Sequence, residues 1–175
     1  KILELARLEN REIILRKEPI NLRQLLEEIV PPFMVQLEAR EGKFHKECPD
    51  TPCVVTADRI HLKNVINTLL DNALKYSEGT PEIGIRIHCG EKNIYIQVID
   101  NGIGIPKEYH KRIYEKFFRV PTGDVHNVKG FGLGLSYVKM IAKAAGWKIS
   151  LQSELNKGST FSIGIPANTP MNDEQ

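Results

Sequence analysis

Asn72, Lys75 and Tyr76 stand within five residues of one another on a stretch whose apolar residues, Leu62, Val65, Ile66, Leu69, Leu70 and Ala73, recur at helical spacing. At about 100° per residue Asn72 falls at the edge of that stripe, with Thr68, Lys75 and Tyr76 within roughly 60° of it. An amide oxygen, an ammonium and a phenol then project from one border of a buried helix. An amide oxygen is a hard ligand suited to magnesium, and an ammonium complements phosphate charge. The same residues also fit an ordinary helix C-terminal turn, with Lys75 answering the helix dipole and Tyr76 half-buried.

Two glycine-bearing stretches extend the pattern. Asp100-Asn101-Gly102-Ile103-Gly104-Ile105-Pro106 follows the apolar alternation of Ile94, Ile96 and Val98. A carboxylate at a strand end followed by two glycines composes a tight turn. It also composes a pocket floor, where glycine lets a flat ligand approach the backbone and Asp100 accepts from an exocyclic amine, the group that separates adenine from guanine. Gly130-Phe131-Gly132-Leu133-Gly134-Leu135 precedes a helix, so its amides and the helix N-terminus are available to an anion. Its spacing matches neither a dinucleotide fingerprint nor a P-loop. Between these stretches, Pro121 to Lys129 is polar and of the length of a closing loop or of a plain surface loop.

The elements that must position these residues are legible from pattern. Asn21 with Gln24 forms a capping box, and Ile20 can staple to Leu25, so a helix starts at Asn21. Its apolar face, Leu22, Leu26, Ile29, Phe33 and Leu37, crosses Pro31-Pro32, which predicts a kinked or restarted helix. Ile13 to Leu15, with the alternation up to Pro19, reads as a short strand. Val54 to Thr56 reads as a strand leading to Asp58, the cap of a helix from Arg59 to Tyr76. Ile83, Ile85 and Ile87 against Ile94, Ile96 and Val98 predict an antiparallel hairpin. Pro106 opens a short helix, and Leu133 to Ala145 forms a longer one stopped by Gly146. Trp147 to Gln152 and Thr160 to Ile165 close the chain as a hairpin around Asn156-Lys157-Gly158. Sequential hairpins with helices between them indicate an α+β fold, a two-layer α/β sandwich whose mixed, mostly antiparallel sheet is covered on one face by helices.

The 175 residues, 41% hydrophobic and 26% charged, suit one compact domain. A net charge of +2 without a long basic run leaves no electrostatic footprint for nucleic acid, and no segment approaches the 18 apolar residues of a membrane span. Cys48, Cys53 and Cys89, at no metal-ligand spacing, read as reduced thiols of a cytoplasmic protein. Residues 1–12, with Ile2, Leu5 and Leu8 at one-turn spacing, read as the end of a helix belonging to a longer parent. Residues 13–167 read as the main domain and 168–175 as a tail.

Taken together, the motifs resemble, in order and spacing, the catalytic, ATP-binding domain of bacterial sensor histidine kinases, built on the Bergerat fold that the DNA gyrase B subunit shares. Asn72-Ala73-Leu74-Lys75-Tyr76-Ser77 resembles the N box, the stretch from Asp100 to Pro106 the first glycine box, and Tyr114-Glu115-Lys116-Phe117-Phe118-Arg119 the F box. Gly130 to Leu135 resembles the second glycine box, and Lys157-Gly158-Ser159-Thr160-Phe161 the final glycine motif. The resemblance implies ATP and Mg2+ as cofactors, with Asn72 ligating the metal and Lys75, Tyr76 and Arg119 on the phosphates. It also implies Asp100, Gly102, Gly104 and Ile105 around adenine, Gly130, Gly132, Leu133, Gly134 and Leu135 around the triphosphate, and Thr160 in the pocket wall.

Many relatives carry Asn four residues before the magnesium Asn, where this chain has Thr68; the family's ATP hydrolases carry a catalytic Glu there. Thr68 cannot act as that base, which favours phosphoryl transfer to a histidine over hydrolysis. The implied partners are a histidine-bearing dimerisation domain, whose second helix residues 3–12 resemble, and a response regulator receiver domain reached through a homodimeric parent, for which a cytoplasmic setting with or without an inner-membrane anchor is open. This chain is then expected to be monomeric. His45, His61, His88, His110 and His126 stand in no context resembling the family's acceptor motif. An ATP-responsive binding module and a non-histidine kinase of the same fold are the competing classes.

Overall fold

The computed structural model describes residues 13–121 and 131–167. Strand β1 (Lys17–Asn21) leads into helix α1 (Leu22–Glu38), followed by β2 (Lys43–Glu47), β3 (Val54–Asp58), α2 (Arg59–Lys75), β4 (Glu82–Cys89) and β5 (Asn93–Asp100). Two single-turn 3-10 segments, Lys107–Tyr109 and Arg112–Tyr114, precede α3 (Gly134–Ala145), β6 (Lys148–Glu154) and β7 (Gly158–Pro166). Five strands form one sheet in the order β2-β4-β5-β7-β6, antiparallel except for β2 against β4, and β1 pairs with β3 in a separate antiparallel ribbon. The mixed α+β arrangement with helices over one face agrees with the sequence reading.

Alternation sorts the two faces. Ile83, Ile85 and Ile87 of β4, Ile94, Ile96 and Val98 of β5, and Phe161, Ile163 and Ile165 of β7 are buried beneath the helices. The opposite face is polar, with Gln97 Nε2 donating to Ser162 Oγ at 3.0 Å and His88 stacked on Tyr95. Helix α2 lies over β4 and β5, and its whole predicted stripe from Leu62 to Ala73 is at most 3% exposed. The expected caps are in place. The Asn21 side chain accepts from the amides of Arg23 and Gln24, Asp58 accepts from His61, and Gly146 ends α3 at φ 73°.

The structure departs from expectation at five places. Helix α1 runs unbroken through Pro31 and Pro32. Both prolines are exposed, so the backbone carbonyls they leave unpaired can turn to water while Ile29, Phe33 and Leu37 keep the buried face in phase. β1 begins only at Lys17, because its register is set by pairing Lys17 to Asp58 and Asn21 to Val54. After Pro106 the chain makes the two 3-10 turns rather than an α-helix. β2 carried no strand signal, since four of its five residues are exposed and only parallel pairing with β4 holds it extended.

The fifth concerns the cysteines: Cys53 and Cys89 are joined by a disulfide across 36 residues, their Cα atoms 6.7 Å apart, so the reading of three reduced thiols holds for Cys48 alone. The cause is topological. Cys89 continues the inward alternation of Ile83, Ile85 and Ile87, and the loop leaving β2 beside β4 carries Cys53 to it. Among the described residues no helix is long and apolar enough to cross a membrane.

Candidate functional site

The site is assembled around the last two turns of α2. Asn72, Lys75 and Tyr76 are each partly buried there, beside fully buried Leu69, Leu70 and Ala73. Lys75 Nζ lies 5.2 Å from the centroid of the Tyr76 ring. Burial, and then the nearby Arg119 guanidinium, depress the pKa of the Lys75 ammonium. Burial raises that of the Tyr76 phenol, against which Arg119 acts in the lowering direction. Arg119 therefore lies close enough to feel both, and the F box and the N box meet at one electropositive border.

Two glycine loops flank this border. On one side the first loop is tied to the C-terminus of α2, where the Ile103 amide donates to Tyr76 O at 3.0 Å. Gly102 has no room for a side chain, as a Cβ there would stand 2.5 Å from Tyr76 O. Gly104 is left-handed at φ 67°, and a Cβ on it would stand 1.9 Å from Glu154 O. Asp100 ends β5 with its Oδ1 accepting from the amides of Gly102 at 2.9 Å and Ser159 at 3.1 Å. Burial raises the pKa of its carboxyl, and those two N–H donors pull the other way. The result is a desolvated acceptor held in one orientation by the backbone.

On the other side, the Phe117 amide donates to Gly132 O at 3.0 Å, which fastens the F box to the second glycine loop. Gly132 is at φ 68° and packs on the Phe117 backbone, where a Cβ would stand 2.8 Å from it. Gly134 opens α3 directly over α2, with a Cβ there 3.0 Å from Thr68 Cγ2 and 4.0 Å from Asn72 Nδ2. No side chain among the described residues caps the α3 N-terminus, which begins after Leu133. Leu135 packs partly against the core. The α3 amides thus face the Asn72 and Thr68 positions with the positive end of a helix.

Of the residues expected from sequence, the structure ties the loop from Asp100 to Ile105 to the end of α2 through Gly102 and Ile103, brings Arg119 near Lys75 and Tyr76, fastens Gly132 to Phe117, and sets Gly134 over Thr68 and Asn72. Gly130 and most of the closing loop lie outside the described residues, as does His126. Thr160 is not brought to the others. Its register partners are Ile99 and Gln152, on the sheet face away from the helices. The residue opposite Asp100 is Ser159, buried at 8% exposure, with Ser153 opposite it on β6. Both serines escaped the sequence reading, although the period of two along β7 places 159, not 160, on the face of Phe161 and Ile163.

The donor set fits a nucleotide accompanied by its own metal. Among the described residues no group of three His, Cys, Asp or Glu could hold a cation alone. A magnesium ion bound by one protein oxygen keeps its other positions for phosphate and water, which is the arrangement Asn72 beside the α3 N-terminus allows. Glycines on both flanks are held so close to neighbouring backbone, Tyr76 O, Glu154 O and Phe117, that no side chain fits at Gly102, Gly104 or Gly132.

Comparison with known proteins agrees with this geometry. The chain belongs to the histidine kinase-, DNA gyrase B- and HSP90-like ATPase family, whose model matches residues 57–169. Among its relatives, the sensor protein RprX of Bacteroides fragilis is 36% identical over 168 residues, 95% of this chain and 32% of the relative. The sensor protein CiaH of Streptococcus pneumoniae is 38% identical over 130 residues, 74% of this chain and 28% of the relative. The chain therefore spans about a third of the length of the curated relatives it matches. The nucleotide-free catalytic domain of the histidine kinase ThkA superimposes with a TM-score of 0.76 at 28% identity, covering 87% of this chain and 98% of that one.

Proposed function

We propose that residues 13–167 are the ATP-binding donor domain of a two-component sensor histidine kinase, with residues 1–12 the end of the preceding dimerisation helix and 168–175 a tail. The observation that carries the proposal is the position of Asn72, Lys75 and Tyr76 between two glycine loops, one holding a partly buried carboxylate and the other opening an uncapped helix. Asp100 accepts from the adenine amine, and Gly102 and Gly104 let the ring lie on the backbone. Lys75, Tyr76, Arg119 and the α3 amides hold the phosphates. Asn72 is the protein ligand of Mg2+, which neutralises charge on the phosphates when bound.

The reaction breaks the bond between the γ-phosphorus and the β,γ-bridging oxygen of ATP, which departs on ADP, and forms one to an imidazole nitrogen of a separate dimerisation domain. This chain contributes positioning and charge, which dominate phosphoryl transfer. Transfer is favoured over hydrolysis because Thr68 is no base: its hydroxyl donates to Asn64 O at 2.7 Å. A receiver domain downstream of the phosphohistidine and a cytoplasmic setting follow from the same reading.

Calorimetric titration with Mg2+ and ATP or GTP tests the proposal. Binding of ATP in preference to GTP, strengthened by Mg2+, is the expected result; equal affinity for the two nucleotides would overturn the assignment of Asp100, and no binding of either the whole reading.

A further inference from the structure

Asp100 heads a row of three side chains whose hydrogen-bond directions can be worked out one atom at a time. Register aligns Asp100, Ser159 and Ser153 across β5, β7 and β6 on the helix-covered face. Ser153 Oγ is engaged three times: it receives the Ile105 amide at 2.8 Å, lies 2.9 Å from Gly158 O and lies 3.0 Å from Ser159 Oγ. A hydroxyl has one hydrogen and two lone pairs. A carbonyl oxygen can only accept, so the Ser153 hydrogen is committed to Gly158 O. The Ile105 N–H takes one lone pair, and the contact with Ser159 must use the other. Ser159 is consequently the donor in that pair, its only hydrogen turned toward Ser153 and its lone pairs left over, in a residue whose backbone amide donates to Asp100 Oδ1 at 3.1 Å.

We propose that Ser153 is a specificity-determining positioning residue, fixing Ser159 as a hydrogen-bond acceptor beside Asp100. The pocket floor then presents acceptors only. An exocyclic amine offers it donors, whereas a carbonyl oxygen at the same position meets lone pairs with lone pairs. Without the Ser153 hydroxyl, Ser159 rotates freely and can donate, so it accommodates a carbonyl as readily as an amine. Ser153 also fastens the first glycine loop through Ile105 and the β6–β7 turn through Gly158, so the same atom sets both polarity and position.

The inference rests on the adenine reading given above, and its test separates the two. ATP and ITP differ at that ring position, an amine in one and an oxygen in the other. Affinities of both are measured calorimetrically for the unaltered chain, Ser153→Ala and Ser153→Thr, with thermal melting to confirm folding. We expect the preference for ATP over ITP to fall about tenfold in Ser153→Ala, roughly the value of one hydrogen bond, and to be restored in Ser153→Thr, which keeps the hydroxyl. Loss of affinity for both nucleotides in equal measure would reduce Ser153 to a structural role and overturn the proposal, as would an unchanged preference in a folded Ser153→Ala. Failure of the unaltered chain to bind ATP would instead overturn the adenine reading beneath it.

Discussion

Asp100 illustrates how one residue is tuned by opposing forces. Burial penalises its charge, and the Gly102 and Ser159 amides return part of that penalty by donating to Oδ1. The folded pKa remains above the ordinary aspartate value. The folded state therefore holds more protons than the unfolded chain between those two values, and stability from this group falls as pH rises through that window. Ionising Asp100 therefore costs the fold stability, and an amine donor at the site would offset that cost. Asp100→Asn keeps an oxygen for the two amides but turns a donor toward the ligand. Its thermal midpoint at pH 7 should be unchanged or higher, while ATP affinity falls about tenfold or more in calorimetry. Asn72 and Thr68 form a second contrast. The Thr68 hydroxyl is occupied by Asn64 O, whereas Asn72 stands at the margin of the buried stripe and opposite Gly134. In the intact parent, Asn72→Ala should abolish autophosphorylation with the fold preserved, and Thr68→Ala should only reduce it. Near-normal autophosphorylation of Asn72→Ala would refute its role as metal ligand.

Elements deliver these residues through backbone anchors more than through side-chain contacts. The C-terminus of α2 is pinned from two directions: Tyr76 O receives the Ile103 amide, and the Arg40 guanidinium donates to Leu74 O and to Ser77 O, the latter at 2.9 Å. Arg40→Ala should lower stability by roughly 1–2 kcal/mol in urea unfolding, the worth of hydrogen bonds from a charged donor at a partly exposed site. Gly104→Ala should be worse. It adds a left-handed backbone penalty to a Cβ driven into Glu154 O, and a loss above ~2 kcal/mol in the same measurement is expected. Periodicity and capping made α2, the β4–β5 hairpin, α3 and the β6–β7 hairpin readable in advance, because each is specified by its own residues. What stayed hidden depends on partners distant in sequence. β2 exists by pairing with β4, the disulfide by the passage of Cys53 past the end of β4, and the Ser153 and Ser159 pair by the register of three strands. The site followed the same division. Motif spacing located Asp100 and Asn72, while the displacement from Thr160 to Ser159 needed the strand's two faces.

At the scale of the whole molecule, the donor reading has a consequence for what this chain does alone. Of the four described histidines, two are held by hydrogen bonds, His61 Nδ1 lying 2.9 Å from the Tyr137 hydroxyl and His110 Nε2 lying 2.8 Å from Ile105 O, while His88 stacks on Tyr95 and His45 is exposed on β2. None of the five histidines stands in a context resembling the family's acceptor motif. We therefore predict that this chain binds ATP yet neither autophosphorylates nor forms a stable dimer, and that it phosphorylates a separately supplied dimerisation domain slowly. The slowness has a physical origin. Joined by a short linker, donor and acceptor meet at an effective concentration on the order of millimolar; as separate molecules at micromolar concentration they lose about a thousandfold in encounter. The deficit should shrink in proportion as the dimerisation domain is added, since only the encounter and not the chemistry has changed. Incubation with radiolabelled ATP followed by gel separation measures this directly. Label on the added domain, rising with its concentration, is the expected outcome, and label on this chain alone, at any of its five histidines, would contradict the donor assignment.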